Sequence, residues 1–530
     1  MKPRFRQSMG WLHTWVGFAF AWLLFFIFVT GSLGYFENEI DRWMKPEIAI
    51  VNDAIDDFEI LNSAKQQLNI LAGDAEQWYI AYPSKRNPYI KISWLQSANA
   101  ELGTPKQWHK EYLTPYTGKI TPTRETSGGE TLYRLHYNLH YVPAVVGYLV
   151  TSLATLFMLI GLVTGIIVHK KIFIEFFTFR SGKGLRAWLD VHNVFSVLPL
   201  PFHLMITYSG LVLLMGISFS SVIDATYGES KKMHRQFYNE SQTENKQQQP
   251  INLNTADLSF KTVLTDAKAR YKNQTVSYLG IIDRNIADNT EQPSFQVWLD
   301  GNEGIEFATL LSYRLVDGQI QLEESLGKTH SAAKIYDILE HLHEGLFADT
   351  YLRWLYFISG LLGAAMIATG MIIWVKKRQN HPTTFIKLID KLNAAVVVGL
   401  PIAIAAYFWS NRLLPLAMSN RAEWELHSLF IVLAACACFC IVRSADKVWK
   451  NMLWIAAAVY ALLPLGNMLT TEHSLLASVQ QGDWLMLGFD LSMLFFAGCF
   501  ALAAILLKTE RGETEFTMKT NIKMNMKGVI

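Results

Sequence analysis

The stretch WLHTWVGFAFAWLLFFIFVTGSLGYF, residues 11–36, decides the fold of this chain. It contains no charged residue and exceeds the roughly 20 apolar residues that a helix needs to cross a bilayer. It is not typical of a signal peptide, because its apolar core is too long and no small-residue cleavage site precedes the acidic segment Glu37-Asn38-Glu39. The pattern therefore predicts a first transmembrane helix.

Seven further apolar stretches of similar length follow in this chain of 530 residues, 51% of which are hydrophobic. They cover 144–168, 188–217, 350–375, 392–409, 424–442, 451–470 and 484–507. Basic clusters occur at Lys2/Arg4/Arg6, from Lys170 to Arg186, at Lys376-Lys377-Arg378, at Arg443/Lys447/Lys450, and after Lys508. Eight crossings place all five clusters on one side, where positive charge marks the cytoplasm. We therefore expect a bacterial inner-membrane protein with both termini cytoplasmic.

Two long polar segments, about 37–135 and 218–345, fall on the other side of the membrane in this topology. Each contains a helix-like stretch followed by strand-like alternation, as in 64–68 before 78–81 and 263–269 before 276–280. Each segment therefore predicts a small α+β module, and the chain repeats one plan of helix, outer module and helix. The expected fold is an α-helical polytopic membrane protein with a duplicated four-helix core, four extra C-terminal helices and two small α+β periplasmic modules.

The predicted domains follow from this plan. They are helix 1 (1–36), a first periplasmic module (37–143), helices 2 and 3 with a basic cytoplasmic loop (144–217), a second periplasmic module (218–349), helix 4 (350–378), a C-terminal four-helix bundle (379–507) and a cytoplasmic tail (508–530).

The duplication is visible in the spacing of histidine and glycine. His13 and Gly31 are 18 residues apart, and His192 and Gly210 show the same offset. In the even-numbered core helices, His136 precedes Gly165 by 29 residues, and His341 precedes Gly370 by 29 residues. Each of these glycines follows Thr or Ser, and such small pairs allow membrane helices to approach closely. Duplicated halves commonly place a functional site at their shared interface.

Histidines near the ends of the core helices are the candidate functional residues, because ionisable groups in membrane segments are costly. Neutral imidazole is a common ligand of haem iron, and bundle proteins hold such cofactors between facing helices. His13 and His192 would hold an inner b-type haem, with one ligand from each half. His343, with His136 or His140, would hold an outer haem, and His341 is an alternative at that level. The competing interpretation is a hydrogen-bonded histidine at a helix end.

Two further histidines leave the haem count open. His203 follows His192 by 11 residues, close to three turns, so it shares a helix face about 16 Å nearer the outside. It is either a ligand or propionate partner, or a packing residue, and its counterpart in the first half is Leu24. His169 corresponds to Trp374 in the other half, which weakens it as a ligand. About two haems are expected, and a third is not excluded.

Other chemistry is weakly indicated. Glu425, His427 and Asp490 suggest proton movement or a quinol pocket, with surface-level hydrogen bonding the preferred interpretation. The cysteines are interpreted as packing residues without disulfides, and no C-x-x-C-H motif for covalent haem occurs; they are Cys436, Cys438, Cys440 and Cys499. The sequence contains no dinucleotide or P-loop fingerprint, so no flavin or nicotinamide domain is expected. The sequence contains no separate basic domain that would suggest binding to nucleic acid.

Taken together, the motifs resemble the PepSY-associated transmembrane family, whose members are often called iron-regulated or iron-uptake membrane proteins. The resemblance covers about residues 8–378. It rests on Trp11-Leu12-His13-Thr14-Trp15, Leu135-His136-Tyr137-Asn138-Leu139-His140-Tyr141, Asp190-Val191-His192-Asn193, Leu200-Pro201-Phe202-His203 and Leu342-His343-Glu344-Gly345. Characterised members look like inner-membrane ferric-siderophore reductases with two b haems and periplasmic PepSY-like domains. The resemblance implies His13, His192, His343 and one of His136/His140 as ligands.

The expected function is therefore reduction of ferric siderophore, or another Fe(III) chelate, by electrons that cross the bilayer from a membrane quinol or an unknown donor. Two alternatives stay open. One is a quinol-linked electron conduit to a periplasmic protein. The other is a non-enzymatic transport accessory or sensor.

Overall fold

The computed structural model describes residues 5–48, 50, 55–84, 86–98, 105–115, 117–169, 184–228, 230, 232–233, 236–237, 244–251, 258–282, 293–300, 309–316, 319–328, 331–381 and 383–507. Most of the basic connection after Lys170, and the tail after Lys508, lie outside these residues. The chain divides into two compact units. The helical unit comprises Met1–Met44, Glu125–Thr207 and Tyr356–Ile530, and the sheet unit comprises Lys45–Arg124 and Tyr208–Leu355.

The described helices are numbered along the chain. Those of the first half are α1 (Phe5–Ala19), α2 (Ala21–Gly34), α3 (Glu37–Met44), α4 (Asp57–Leu71), α5 (Gly128–Leu135) and α6 (Ala144–Val168). Those of the second half are α7 (Leu185–Val197), α8 (Leu200–Leu213), α9 (Met215–Ser218), α10 (Ser220–Tyr227), α11 (Phe260–Arg270), α12 (Ser331–Glu344) and α13 (Thr350–Lys376). The C-terminal helices are α14 (Thr384–Val397), α15 (Gly399–Leu413), α16 (Arg421–Val442), α17 (Ala445–Thr470), α18 (Leu475–Gln481) and α19 (Trp484–Leu506).

Among the described residues, six helices are long and apolar enough to cross a membrane. They are Ala144–Val168, Thr350–Lys376, Thr384–Leu413, Arg421–Val442, Lys447–Thr470 and Trp484–Leu506. The number rises to eight if α1 with α2, and α7 with α8, each form one bent span. These eight segments correspond to the eight apolar stretches of the sequence, which confirms the prediction of a polytopic helical protein.

Two spans that the sequence predicts as continuous helices are bent. The angle between α7 and α8 is 63°, and the break lies where Pro199 and Pro201 remove backbone donors. The angle between α1 and α2 is 65°, although no proline is present. There Phe20, with φ −116° and ψ 14°, leaves the helical conformation and separates the two helices.

In the residues that the structure describes, the sheet unit contains a nine-stranded antiparallel sheet instead of two separate sheets. Its strands are β1 (Gln77–Ala81), β2 (Ile90–Gln96), β3 (Gln107–Leu113), β4 (Ile120–Thr121), β5 (Glu244–Ile251), β6 (Thr275–Ile282), β7 (Ser294–Asp300), β8 (Thr309–Val316) and β9 (Gln319–Lys328). Their order is β4-β3-β2-β1-β6-β7-β8-β9-β5. The two predicted modules therefore join through β1 and β6, where Ile80 pairs with Leu279. This pairing satisfies two strand edges that separate modules would leave open.

A capped helix precedes β1, and another precedes β6. The Asp56 side chain accepts a hydrogen bond from the Phe58 amide at the start of α4, and Ser259 accepts one from the Thr262 amide at the start of α11. Apolar side chains of both helices pack with alternate residues of the strands in one core, which includes Leu68, Ile80 and Leu279. The alternation that predicted strands in the sequence is the alternation between this core and the opposite face of the sheet.

The C-terminal helices pack within the helical unit and share its main hydrophobic core. The Leu400 and Leu429 side chains lie in that core, together with Phe25 and Leu135 from the first half. The four cysteines are free, with Cys436 and Cys440 buried and Cys438 and Cys499 exposed.

Candidate functional site

A cavity of about 310 Å³ lies between α1, α6, α7 and α13 in the helical unit. His13 on α1 and His192 on α7 both line it. Most of the wall is apolar and comes from Phe18, Leu24, Phe157, Met158, Leu162, Ile166, Leu189, Leu200, Met366, Ile367, Met371, Ile373 and Trp374. An apolar cavity with a few converging polar groups is the usual form of a small-molecule or cofactor site.

His13 is held against α6 by contacts at its Nδ1 atom. That nitrogen lies 2.9 Å from the Gly161 carbonyl oxygen and 3.3 Å from Thr164 Oγ1. Gly165 lies under the ring, where a Cβ atom would be only 3.2 Å from His13 Cε1. The glycine therefore allows the imidazole to lie close to the backbone of the neighbouring helix.

His192 makes the same set of contacts with α13. Its Nδ1 lies 2.9 Å from the Met366 carbonyl oxygen and 3.0 Å from Thr369 Oγ1. A Cβ atom at Gly370 would lie 3.5 Å from His192 Cε1. The duplicated spacing of the sequence thus corresponds to a duplicated contact, in which each histidine packs on the Thr-Gly pair of a different helix.

These contacts determine which ring nitrogen is available for binding. A backbone carbonyl can only accept a hydrogen bond, so the Nδ1 atoms of His13 and His192 donate. In the neutral imidazole, Nε2 then carries the lone pair. A histidine whose Nδ1–H is bonded to a carbonyl, with Nε2 as donor atom, has the usual arrangement of a metal-binding imidazole.

One rim of the cavity carries aromatic rings and positive charge. The rings of Phe18 and Trp374 stack with their centroids 4.1 Å apart and their planes 9° apart. The Arg378 guanidinium lies 3.8 Å from the centre of the Trp374 ring, and both Lys377 and Arg378 line the cavity. Two cations at the edge of an apolar cavity are suited to a ligand that combines an apolar body with carboxylates.

His169 and His203 occupy different environments. His169 follows α6 directly and lines the same cavity as His13. His203 is fully buried, and its Nε2 lies 3.2 Å from the carbonyl oxygen of Ser359. Because that carbonyl can only accept a hydrogen bond, His203 Nε2 donates. In His13 and His192 the Nε2 atom is left available for a ligand, whereas in His203 it is already bonded. This contact favours the packing and hydrogen-bonding interpretation of His203.

His136 and His140 differ in burial. The His136 ring lies against Gly31, where a Cβ atom would be 3.5 Å away, and its Nδ1 contacts the Tyr133 carbonyl oxygen. Burial lowers the pKa of His136 to about 4, so the ring is neutral at physiological pH. His140 is exposed and stacks on Phe430, with ring centroids 5.9 Å apart.

His341 and His343 lie on α12 in the sheet unit. The Nδ1 atom of His341 is 2.8 Å from the Asp337 carbonyl oxygen, one turn earlier in the same helix. The Nδ1 atom of His343 is 2.8 Å from Ser209 Oγ. Ser209, of the Ser-Gly pair in the third predicted span, therefore contacts His343.

Two acidic residues correct the surface-level interpretation made from the sequence. Glu425 and Asp490 are both fully buried. Glu425 pairs with Arg421 at 2.5 Å, and Asp490 accepts hydrogen bonds of 3.0 Å from Trp43 and from Asn467. They do form hydrogen bonds, as expected, but inside the helical unit, because other helices cover the segments that the sequence places near membrane surfaces.

The sequence does not identify the groups that orient the two cavity histidines. Thr164 and Thr369 hold the rings of His13 and His192. Lys377 and Arg378, which the sequence marks only as topology signals, line the cavity. The repeated Thr-Gly pair was the available signal, but its spacing indicated helix packing and did not identify the partner.

Comparison with known proteins agrees with this architecture. The profile of the family described as "PepSY-associated TM region" matches residues 10–377. An uncharacterized protein of Pseudomonas aeruginosa is 21% identical over 301 residues, which cover 55% of this chain and 74% of that protein. The matched residues include both cavity histidines and both Thr-Gly pairs.

Proposed function

The chain belongs to the PepSY-associated transmembrane family and is a multi-pass membrane protein, and we propose that it passes electrons across the bacterial inner membrane to ferric siderophore in the periplasm by means of b-type haem. The observation that carries this proposal is the pair of imidazoles, His13 and His192, that line one apolar cavity from the two halves of the chain and whose Nδ1 atoms each contact a carbonyl of a neighbouring helix. Bis-histidine ligation suits a one-electron carrier.

The residues of the cavity fit a b haem on three counts. His13 and His192 each leave Nε2 available for an axial bond. The apolar walls match a porphyrin, and Lys377 and Arg378 match its two propionates. The absence of a C-x-x-C-H motif agrees with non-covalent binding. The haem would supply a reversible one-electron couple at this position.

The chain's own residues set the chemistry of the ligands. The carbonyl groups of Gly161 and Met366 accept the Nδ1–H protons, which fixes the tautomers and makes each Nε2 a stronger donor. A stronger donor stabilises the ferric state and lowers the reduction potential. The apolar walls exclude water and act on the potential through the local dielectric constant.

The outer haem remains a prediction from the sequence and the family resemblance. Within the helical unit, His136 is the better candidate of the two alternatives, because it is half-buried and packs against Gly31, whereas His140 is exposed. His343 retains its predicted role in the sheet unit. The substrate would be chelated Fe(III), which gains one electron. Siderophore oxygens are hard donors that favour the trivalent ion, so reduction to Fe(II) weakens the complex.

We further propose that electrons enter from a membrane quinol or from the cytoplasmic side, and that both termini are cytoplasmic. The support for this orientation is the position of the basic residues, among them Lys376, Lys377 and Arg378 directly after α13.

Reoxidation kinetics test the function. Purified, haem-loaded and dithionite-reduced protein is mixed with a ferric siderophore, while the haem absorbance and the release of Fe(II) to a ferrous-specific chelator are followed. We expect one Fe(II) for each electron lost. The gallium(III) complex of the same siderophore is the control, because it has the same shape but is not reduced.

Failure of every ferric siderophore to reoxidise the reduced protein would overturn the proposal. Reoxidation only after addition of a periplasmic protein fraction would favour the conduit alternative. A well-folded chain that takes up no haem would favour the accessory or sensor alternative.

A further inference from the structure

A buried polar cluster connects the C-terminal helices with α3 and the start of α5. At its centre are Glu425 and Arg421 on α16 and Asn411 on α15, each 0% exposed. Arg421 Nη1 and Asn411 Nδ2 lie 2.5 Å and 2.8 Å from Glu425 Oε1. Buried charges are tolerated when they are paired, and the bonds from Arg421 and Asn411 hold the Glu425 carboxylate in one position.

The second carboxylate oxygen of Glu425 contacts the residues that lead into α5. Glu425 Oε2 accepts a 2.5 Å hydrogen bond from Thr126 Oγ1 and a 3.1 Å bond from the Ser127 amide. Arg421 Nη1 also donates to the Glu125 carbonyl oxygen at 2.7 Å. Two side chains of α16, Glu425 and Arg421, thus hold the segment immediately before α5.

Further bonds from neighbouring helices hold the same segment. Ser127 Oγ donates to the Ala422 carbonyl oxygen at 2.6 Å, and Tyr407 Oη donates to the Gly128 carbonyl oxygen at 2.7 Å. The Gly129 amide donates to Asp41 Oδ1 at 2.8 Å. The first turn of α5 is therefore bonded to α3, α15 and α16.

α5 contains only eight residues and ends at His136. A helix of two turns is not stable by itself, so its direction depends on the contacts at its ends and along its sides. The hydrogen bonds at the start of α5 come largely from the C-terminal helices. His136 is the residue that caps the C-terminal end of α5, and its ring lies against Gly31.

We infer that Glu425 is a positioning residue for His136, and that α15 and α16 orient this outer histidine by holding the first turn of α5. The inference rests on the proposed function, because it takes His136 as the outer haem ligand. It gives the C-terminal bundle a role that its sequence does not indicate. Glu425 touches neither His136 nor the inner cavity, so its effect on His136 passes through α5.

Two substitutions at Glu425 separate positioning from stability. Glu425→Gln keeps an oxygen that can accept from Thr126 and Ser127, but it leaves the Arg421 charge unpaired. Glu425→Ala removes the acceptor as well. We expect both variants to be less stable than the wild type, but only Glu425→Ala to release the first turn of α5 and displace His136.

The first measurement is a low-temperature electron paramagnetic resonance spectrum of the oxidised protein, with haem quantified per chain. We expect Glu425→Ala to lose or shift one low-spin haem signal and to keep the other, while Glu425→Gln retains both. Asp490→Asn is the control. Asp490 is an equally buried carboxylate on α19, another of the C-terminal helices, and it bonds Trp43 and Asn467. It should lower the melting temperature with both signals unchanged.

The second measurement does not depend on haem. Hydrogen exchange of peptides that cover residues 125–136 should accelerate at least ten-fold in Glu425→Ala and stay near wild type in Glu425→Gln. Two unchanged haem signals in folded Glu425→Ala, or equal loss of both signals, would overturn the inference. If Glu425→Ala accelerates exchange but the wild type contains no second haem, the proposed function fails. The inferred role of Glu425 toward a His136 haem ligand then fails with it.

Discussion

Among single residues, His13 and His192 have matching surroundings, since each Nδ1 donates to a carbonyl of a neighbouring helix. Replacement of His192 by Ala removes one of the two proposed haem ligands from the cavity. We expect the haem content to fall by about half and the inner low-spin signal to disappear, because one imidazole holds the iron weakly. Pyridine-haemochrome assay per chain measures the effect. His381→Ala, at an exposed position, is the control, and unchanged haem content in His192→Ala would exclude this ligand.

The hydroxyl group of Thr369 allows a finer test. It donates to the Met366 carbonyl oxygen at 2.8 Å and accepts from His192, whose Nδ1 is 3.0 Å away. Thr369→Val keeps the shape of the side chain but removes one acceptor of the His192 Nδ1–H hydrogen bond. His192 Nε2 then gives electron density to the iron less strongly, so we expect the reduction potential of the inner haem to rise. A neutral hydrogen bond of about 1 kcal/mol corresponds to roughly 40 mV for one electron.

A redox titration of the inner haem measures this shift. Thr155→Val is a suitable control, because Thr155 lies on α6 and bonds only the Thr151 carbonyl oxygen among the contacts described for its side chain. An unchanged or lowered potential in Thr369→Val would contradict the role of the hydroxyl.

The sequence could reveal the histidines but not their supporting groups. His13 and His192 are conspicuous because a titratable side chain in an apolar stretch is rare. Thr164 is not conspicuous, since its hydroxyl also bonds the carbonyl of Ile160 one turn earlier, as threonines in membrane helices commonly do. Its contact with His13 depends on how α1 packs against α6, and no pattern within either helix specifies that.

At the level of helices and strands, Tyr313 shows how an element interface responds to pH. Tyr313 on β8 is fully buried and donates a 2.9 Å hydrogen bond to Asp266 on α11, which also pairs with Arg270. Burial raises the pKa of Tyr313 well above its ordinary value of about 10. The folded state therefore keeps a proton that the unfolded state loses above pH 10, so this stabilisation is complete below pH 10 and declines as the pH rises.

We expect the free energy of unfolding of the sheet unit to fall above pH 10, and Tyr313→Phe to show a shallower decline. The variant should also lose about 1 kcal/mol at neutral pH, because it lacks the bond to Asp266. Hydrogen exchange of the α11 and β8 peptides in the full chain, from pH 8 to 11, measures both effects. Tyr79→Phe is the control, because the Tyr79 hydroxyl of the wild type bonds Gln77, two residues away. An equal slope in wild type and Tyr313→Phe would contradict this assignment.

The elements themselves were largely predictable, whereas their pairing was not. Hydropathy located the spans, and alternation located β1 and β6. Joining these strands into one sheet depends on residues separated by about 200 positions in the chain, which local patterns do not encode. The bend at Phe20 was equally hidden, because no proline marks it.

For the whole molecule, the central topological question is whether the bent pairs α1–α2 and α7–α8 are complete crossings. If they are, the sheet unit lies in the periplasm and both termini lie in the cytoplasm. Alkaline phosphatase fused after Gly73, which follows α4, should then be active, and a fluorescent protein at the C-terminus should be bright. Phosphatase fused after Gln379, beyond α13, is the matched inactive control. An inactive Gly73 fusion would mean that α1 and α2 re-enter the membrane without crossing it.

The role of the last helices shows where prediction from sequence ends. Their length and apolarity predict a bundle, but Glu425 and Asp490 lie near the ends of apolar stretches, where charged groups usually reach water. Their burial results from contacts with α3 and the start of α5, which are distant in sequence. Family membership covers residues 10–377 and leaves this bundle outside the match.

The most direct test of the haem-bearing core is the absorption spectrum of detergent-purified protein, oxidised and dithionite-reduced, with haem quantified per chain. The arrangement of His13, His192 and the outer histidines predicts sharp reduced α-bands and about two b haems per chain. A folded chain that contains no haem after expression under haem-replete conditions would contradict it.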